Sequence, residues 1–174
     1  MPAIVMTVIG TDRPGLVESL ARTVARNGGN WLESRMAHLG GQFAGILLVD
    51  VPAGQADQLV SELEALDRQG LSVIIQKDSA SSATDQASVL ILEIVGNDHP
   101  GIVRDVTRIL AELQVNVEEF DTDCIAAPMS GGRIFRATAK LRLPDGVTRT
   151  QLQQQLEEIA HDLMVDISLA EPSS

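Results

Sequence analysis

Short β-branched runs alternate with segments whose apolar residues recur every three or four positions, and the alternation passes along the chain twice. Residues 3–9 (Ala-Ile-Val-Met-Thr-Val-Ile) are apolar and stop at Gly10, which predicts a central strand buried on both faces. Leu16, Val17, Leu20, Ala21 and Val24 then fall on one stripe, predicting a helix of about three turns. Glu18, Arg22 and Arg26 take its wet face, and Asn27-Gly28-Gly29 ends it. Residues 30–39 and 42–51 flank Gly40-Gly41 and predict a hairpin with a two-residue turn. Beyond Pro52-Ala53-Gly54, the residues Ala56, Leu59, Val60, Leu63 and Leu66 mark a second helix closing near Gly70. Residues 71–75 form a last strand, giving the order βαββαβ.

Residues 78–87 (Asp-Ser-Ala-Ser-Ser-Ala-Thr-Asp-Gln-Ala) are small and polar with no period, as expected of a linker. The order then returns. Residues 89–95 predict a strand, and Ile102, Val103, Val106, Ile109, Leu110 and Leu113 stripe a helix. A strand begins near Val115. Over residues 133–143, Phe135, Ala137, Ala139, Leu141 and Leu143 face in while Arg136, Thr138, Lys140 and Arg142 face out. Leu152, Leu156, Ile159, Ala160 and Leu163 mark the second helix of this half, and residues 165–169 its last strand. Gly10 and Gly96, Asp12 and Asp98, Pro14 and Pro100, Gly15 and Gly101, Asn30 and Asn116, Glu33 and Glu119 are each 86 apart, the mark of an internal duplication. The expected domains are 1–77 and 88–170, joined by 78–87, with 171–174 a tail. The copies differ at the hairpin: Asn30 to Gly41 is 11 residues, Asn116 to Gly132 is 16. The second therefore carries a longer tip, residues 126–131.

One motif stands at the same place in both halves. Gly10-Thr11-Asp12-Arg13-Pro14-Gly15 and Gly96-Asn97-Asp98-His99-Pro100-Gly101 each close an apolar run and open an amphipathic one. Pro14 suits a first helical turn, where its missing N–H costs nothing. Asp12 is the expected N-cap, its carboxylate accepting from the Gly15 amide. The helix end that remains has free N–H groups and the positive end of the dipole, and Gly15 leaves it unobstructed. Such an end attracts a small carboxylate.

Composition narrows the partners. A net charge of -11 and a pI near 4.5 oppose direct contact with nucleic acid, which needs a Lys/Arg patch, and with an anionic membrane surface. Aromatics are 2% of the chain and tyrosine is absent, which counts against base-stacking platforms. Cys124 is alone, so no intramolecular disulfide and no C-x-x-C site is possible. No run approaches ~18 apolar residues, and the first residues lack a secretory pattern; a cytoplasmic protein is expected.

Two βαββαβ repeats, each with a D-x-P-G-[LIV] strand-to-helix turn and an Asn at the start of the next strand, resemble tandem ACT domains. Over residues 1–170 the chain is similar to the glycine cleavage system transcriptional repressor family, which is two ACT domains and little else. The resemblance implies an α+β fold of two ferredoxin-like domains, each a four-stranded antiparallel sheet with two helices on one face. It implies domains that pair by sheet edges or helices, with amino-acid effectors at the interface beside the first strand-to-helix turn. Carried over by position, the ligand-binding residues are Asp12, Gly15 and Leu16 with Asn30, and Asp98, Gly101 and Ile102 with Asn116. Repressors of this type act through a partner transcription factor, not by touching DNA. Similar ACT pairs are regulatory ends of amino-acid enzymes and of formyltetrahydrofolate deformylase.

The chemistry suits a free amino acid. Amides of Gly15 and Leu16 hold its carboxylate, and an Asn oxygen, from Asn30 or across an interface, accepts from its ammonium. Glycine is the first candidate because it needs the least room. Arg13 in one copy against His99 in the other allows two unlike sites. Each feature also has a plainer reading. The turns cap helices. Asn30 and Asn116 satisfy backbone at a strand start. His99 is a solvated loop residue or a pH sensor, and Cys124 is a small hydrophobe. Trp31 packs in a core or an interface. The Arg136, Lys140 and Arg142 stripe, like the Met129 tip, is either solvated or a partner contact. His38, His99 and His161 lie on different elements, which disfavours a metal site, and no catalytic or cofactor motif occurs. The expectation is a non-enzymatic regulator with a small amino-acid effector, a protein partner and no cofactor. Exposed sheet edges favour pairing across the linker and a homo-oligomer. The alternative is an ACT-type adaptor, or a regulatory subunit of an amino-acid or one-carbon enzyme, with no ligand of its own.

Overall fold

Strand alternation decides which face of each sheet is covered. In the computed structural model, which describes residues 2–77, 88–129 and 131–173, Ile4, Met6 and Val8 are buried while Thr7, Ile9 and Thr11 are exposed on the same strand. The chain divides into two units between residues 83 and 84. The first runs β1 (Ala3–Thr11), α1 (Leu16–Arg26), β2 (Asn30–Leu39), β3 (Gln42–Asp50), α2 (Ala56–Glu64) and β4 (Leu71–Lys77), with a 3-10 turn at Ala65–Gln69 extending α2. The second runs β5 (Val89–Asn97), α3 (Ile102–Glu112), β6 (Asn116–Ala126), β7 (Arg133–Arg142), α4 (Arg149–Leu163) and β8 (Val165–Ala170). The sheets have the orders β2-β3-β1-β4 and β6-β7-β5-β8, antiparallel throughout. These are two βαββαβ ferredoxin-like folds of the α+β class. The linker expected at 78–87 lies outside the described residues.

Leu16, Leu20 and Val24 of α1 and Leu59 and Leu63 of α2 are buried with Ile4, Met6, Val8, Leu47 and Val49 of the sheet. Each fully buried aliphatic side chain contributes about 1.5–3 kcal/mol. The second core repeats this arrangement with Ile102, Val106, Leu110, Leu152 and Leu156 over Leu92, Ile94, Ala139 and Leu141. Cys124 is half-buried against that core, and Trp31 against the first. Val17 and Val103, expected on the buried stripes, are 44% and 39% exposed, each at the flank of its stripe.

The expectation that residues 3–9 are buried on both faces is corrected. The strand is central, between β3 and β4, but both helices pack on one side of the sheet, so Ile9 on the other remains 46% exposed. The hairpin at Gly40-Gly41 forms as expected. Both residues have positive φ, 57° and 77°, the backbone of a two-residue turn whose twist matches the strands. Edge strands β2 and β6 each carry a bulge, between Trp31 and Glu33 and between Val117 and Glu119, at corresponding positions of the repeat.

Candidate functional site

The motif sits where β1 turns into α1. The Gly15 backbone is left-handed, with φ 91°, a conformation that costs a residue with a Cβ roughly 1–2 kcal/mol. Gly15 is itself the N-cap; its carbonyl accepts from the Ser19 amide at 2.9 Å, and no side chain caps the helix. The amides of Leu16, Val17 and Glu18 thus precede the first helical hydrogen bond. A Cβ placed on Gly15 would meet nothing within 4 Å, so this end is open. Leu16 is in the core, 4% exposed, so what it offers at this end is its main-chain amide.

Asp12 does not cap the helix, contrary to expectation. Its amide donates to the Gly41 carbonyl at 3.0 Å, and its carboxylate accepts from His38 Nδ1 at 2.5 Å. The left-handed step makes Gly15 the cap and Leu16 the first helical residue, so the free helical amides begin four residues after Asp12, past the two or three that a capping side chain spans, while the hairpin tip comes back beside the turn. The sequence named His38 only in disfavouring a metal site and not as a partner of Asp12; the available signal was its place one residue before the end of a predicted strand.

The second copy shares the backbone and differs in its neighbours. Gly101 has φ 101° and no side-chain cap, and its carbonyl accepts from the Asp105 amide at 3.0 Å. Ile102 is buried at 2% exposure. The Asp98 amide donates to the Arg133 carbonyl at 2.9 Å, again tying the turn to the hairpin. Here a Cβ on Gly101 would lie 3.1 Å from the Arg104 guanidinium. Arg104 donates through Nε to Asp105 at 2.9 Å, and this bond holds the Asp105 carboxyl below its ordinary range. The second turn therefore has a cation at its mouth where the first has Glu18 at the equivalent position. A residue three positions after the cap falls over that cap by helical spacing, so Arg104 was discoverable from the sequence.

Arg13 and His99 have one job in common. Arg13 donates to the Gln69 carbonyl, at the end of the turn that extends α2. His99 Nε2 donates to the Leu163 carbonyl, at the end of α4, at 2.7 Å. Each side chain meets the negative end of a helix and clamps it to the strand-to-helix turn.

Asn30 and Asn116 are not beside these turns. Asn30 pairs in register with Asp50, which pairs with Ala3 at the start of β1. The turn follows the other end of that strand, eight residues on, about 26 Å at the usual rise per residue. Asn116 likewise pairs with Arg142, in the row of Val89. Within a unit, then, the turn brings Asp12, Gly15 and Leu16 together, or Asp98, Gly101 and Ile102, and leaves the asparagine at the opposite end of the sheet.

Concave surfaces also lie away from the turns. One of about 520 Å³ is on the open face of the second sheet, between Glu93, Asp121, Asp123, Arg136 and Thr138. Arg136 there pairs with Asp123 at 2.5 Å, and Arg142 and Lys140 both pair with Glu118. The outward stripe is thus an ion-paired ladder. Another, of about 190 Å³, lies between α1 and α2, lined by Arg22, Arg26 and Glu62. No helix among the described residues is long and apolar enough to cross a membrane.

With the doubled fold and turn in place, comparison with known proteins is decisive. The family model for the ACT domain matches residues 3–76 and 88–127. The chain belongs to the ACT domain family. Over nearly its whole length it aligns with the crystal structure of an unknown protein from Galdieria sulphuraria, at 30% identity and a TM-score of 0.88, covering 99% of both chains. The glycine cleavage system transcriptional repressor of Escherichia coli is 25% identical over 117 residues, 67% of this chain and 62% of that protein. A UPF0237 protein of Methanocaldococcus jannaschii is 36% identical over 81 residues, 45% of this chain and 90% of that protein, which is close to one ACT unit. The match thus spans somewhat less than two thirds of the repressor's length.

Proposed function

We propose that this ACT protein is a non-enzymatic regulator that binds a small amino acid, glycine first, at its strand-to-helix turns. It controls transcription of glycine cleavage or related amino-acid metabolism through a protein partner in the cytoplasm. The observation that carries the reading is the open, uncapped helix end at Gly15, with nothing within 4 Å of where a Cβ would stand. Free amides on the positive end of a helix suit a carboxylate. The likeness to the Escherichia coli repressor supports the regulatory role. The charge of -11 supports a protein partner over DNA.

The ammonium of the ligand needs an acceptor, and Asn30 or Asn116 supplies it from another unit, on this proposal one in a second molecule, because neither lies near the turn of its own unit. Binding then depends on association, and occupancy shifts the balance between associated states by its differential affinity. Isothermal calorimetry with a panel of free amino acids tests this. Heat and a raised melting temperature with glycine or another small amino acid are expected; silence across the panel removes the sensing role.

A second reading draws on the same separation. No unit by itself holds both halves of the site, which suits an adaptor, or a regulatory subunit of an amino-acid or one-carbon enzyme, that binds partners without a ligand. It predicts capture of the partner that is indifferent to added amino acids.

A further inference from the structure

The two units carry different side chains at corresponding positions of their open sheet faces. In the first, Thr7 lies between Ile46 and Ile74 across the ladder. In the second, Glu93 at the same place lies between Thr138 and Ser168. Leu48 beside Val5 corresponds to Lys140 beside Ile91, and Ala44 beside Ile9 to Arg136 beside Val95. The second unit builds the same sheet with a polar and charged face, so the fold does not require an apolar one. The first unit nevertheless leaves Ile9, Ile46 and Ile74 exposed by 46%, 53% and 62%. A hollow of about 290 Å³ lies among Val5, Ile46, Leu48 and the rim residues Glu33 and Arg35. Contiguous exposed apolar surface of this kind marks an interaction site.

We infer that this face is where a second copy of the chain docks, sheet against sheet. Charge favours the copy over other occupants. Residues 2–77 hold six basic and eight acidic side chains, against seven and fourteen over 88–173, so the first unit approaches its twin almost without repulsion. The charges on its face, Glu33 and Arg35, already pair at 3.0 Å, and a two-fold axis sets each Arg35 near the other copy's Glu33. The second unit's face sets Arg136 and Lys140 against Glu93, Asp121, Asp123 and Asp166, an acidic excess that opposes its twin. Area sets the strength. Four strands about 4.8 Å apart and about seven residues long cover roughly 450 Å² per copy. The two together come near the ~1,000 Å² lower bound of specific interfaces. An interface of that size is a weak, reversible one.

Sedimentation of the full chain from about 1 µM to about 500 µM tests the inference. The mass rises with concentration, and Ile46→Thr with Ile74→Ser weakens association at least tenfold with an unchanged melting temperature. These replacements approximate the second unit's own choices, Thr138 and Ser168, so the fold accommodates them. Ile9→Lys serves as an independent variant, and far-UV circular dichroism confirms folding. A chain of single mass throughout, leaving the face for a different protein, overturns the inference, as does unchanged association in both variants. Calorimetry with amino acids on the parent chain, at concentrations where it is dimeric, separates the two proposals: a dimer that gives no ligand heat removes the sensing role and leaves this interface standing.

Discussion

His99 Nε2 lies 2.7 Å from the Leu163 carbonyl while its Nδ1 lies 3.0 Å from the carbonyl of Pro100. A neutral imidazole has one N–H and cannot donate to both. The Leu163 bond, then the Pro100 bond, raise the His99 pKa above its ordinary 6.5. A histidine whose folded pKa is raised contributes stability that is complete below the unfolded pKa and is lost as pH rises through the folded one. Melting of the second unit followed from pH ~5.5 to ~8.5 therefore falls on the alkaline side of 6.5. His99→Gln flattens that fall, whereas Arg13→Gln in the first unit leaves the pH profile as it was.

Gly15→Ala separates backbone strain from crowding. At φ 91° the substitution costs about 1–2 kcal/mol although no atom stands within 4 Å of the new methyl. Gly101→Ala pays the same strain and also pushes the Arg104 guanidinium from 3.1 Å. Both lower the melting temperature by similar amounts in thermal denaturation. On the proposed function, Arg104→Gln weakens amino-acid binding at the second turn about tenfold, through loss of a charge-assisted contact, and leaves the first turn unchanged; two-site calorimetry resolves the pair.

Asn30→Ala and Asn116→Ala test completion of the site from another molecule. Both asparagines are exposed, so stability moves by less than about 0.5 kcal/mol. Ligand affinity of the parent chain falls on dilution, and the double variant binds weakly at every concentration. Affinity independent of protein concentration would show a site completed without association.

Asn27 joins the two helices of the first unit. It is 2% exposed, and its amide donates to the Thr23 carbonyl at 2.9 Å and to Glu62 at 3.0 Å. Asn27→Ala strands both acceptors and costs about 1–3 kcal/mol, measurable by urea unfolding. The same bond, followed by one from Gln58, lowers the Glu62 pKa. The contribution of this carboxylate is present above its unfolded pKa and lost as pH falls through the folded value, so acid sensitivity diminishes in the variant.

The periods of the apolar residues were enough to place the helices and the strands other than β6, because a strand repeats every two residues and a helix every 3.6; β6 is exposed almost throughout, and only its start was read. The 86-residue offset doubled that reading, and Gly40-Gly41 marked a turn that needs positive φ at both positions. The motif was equally visible, since Pro and Gly act through local backbone geometry. What Asp12 does was not, because its carboxylate reaches His38, 26 positions away in sequence.

Local chemistry alone thus determined the order of elements, the duplication and the open helix end at Gly15. The tertiary structure decided the rest. It put Asn30 at the far end of the sheet from that turn, gave Arg13 and His99 to the carbonyl ends of the second helices, and left Ile46 and Ile74 facing away from the core. Each of these depends on which strand lies beside which and on which face the helices cover, and no short-range periodicity along a chain specifies either.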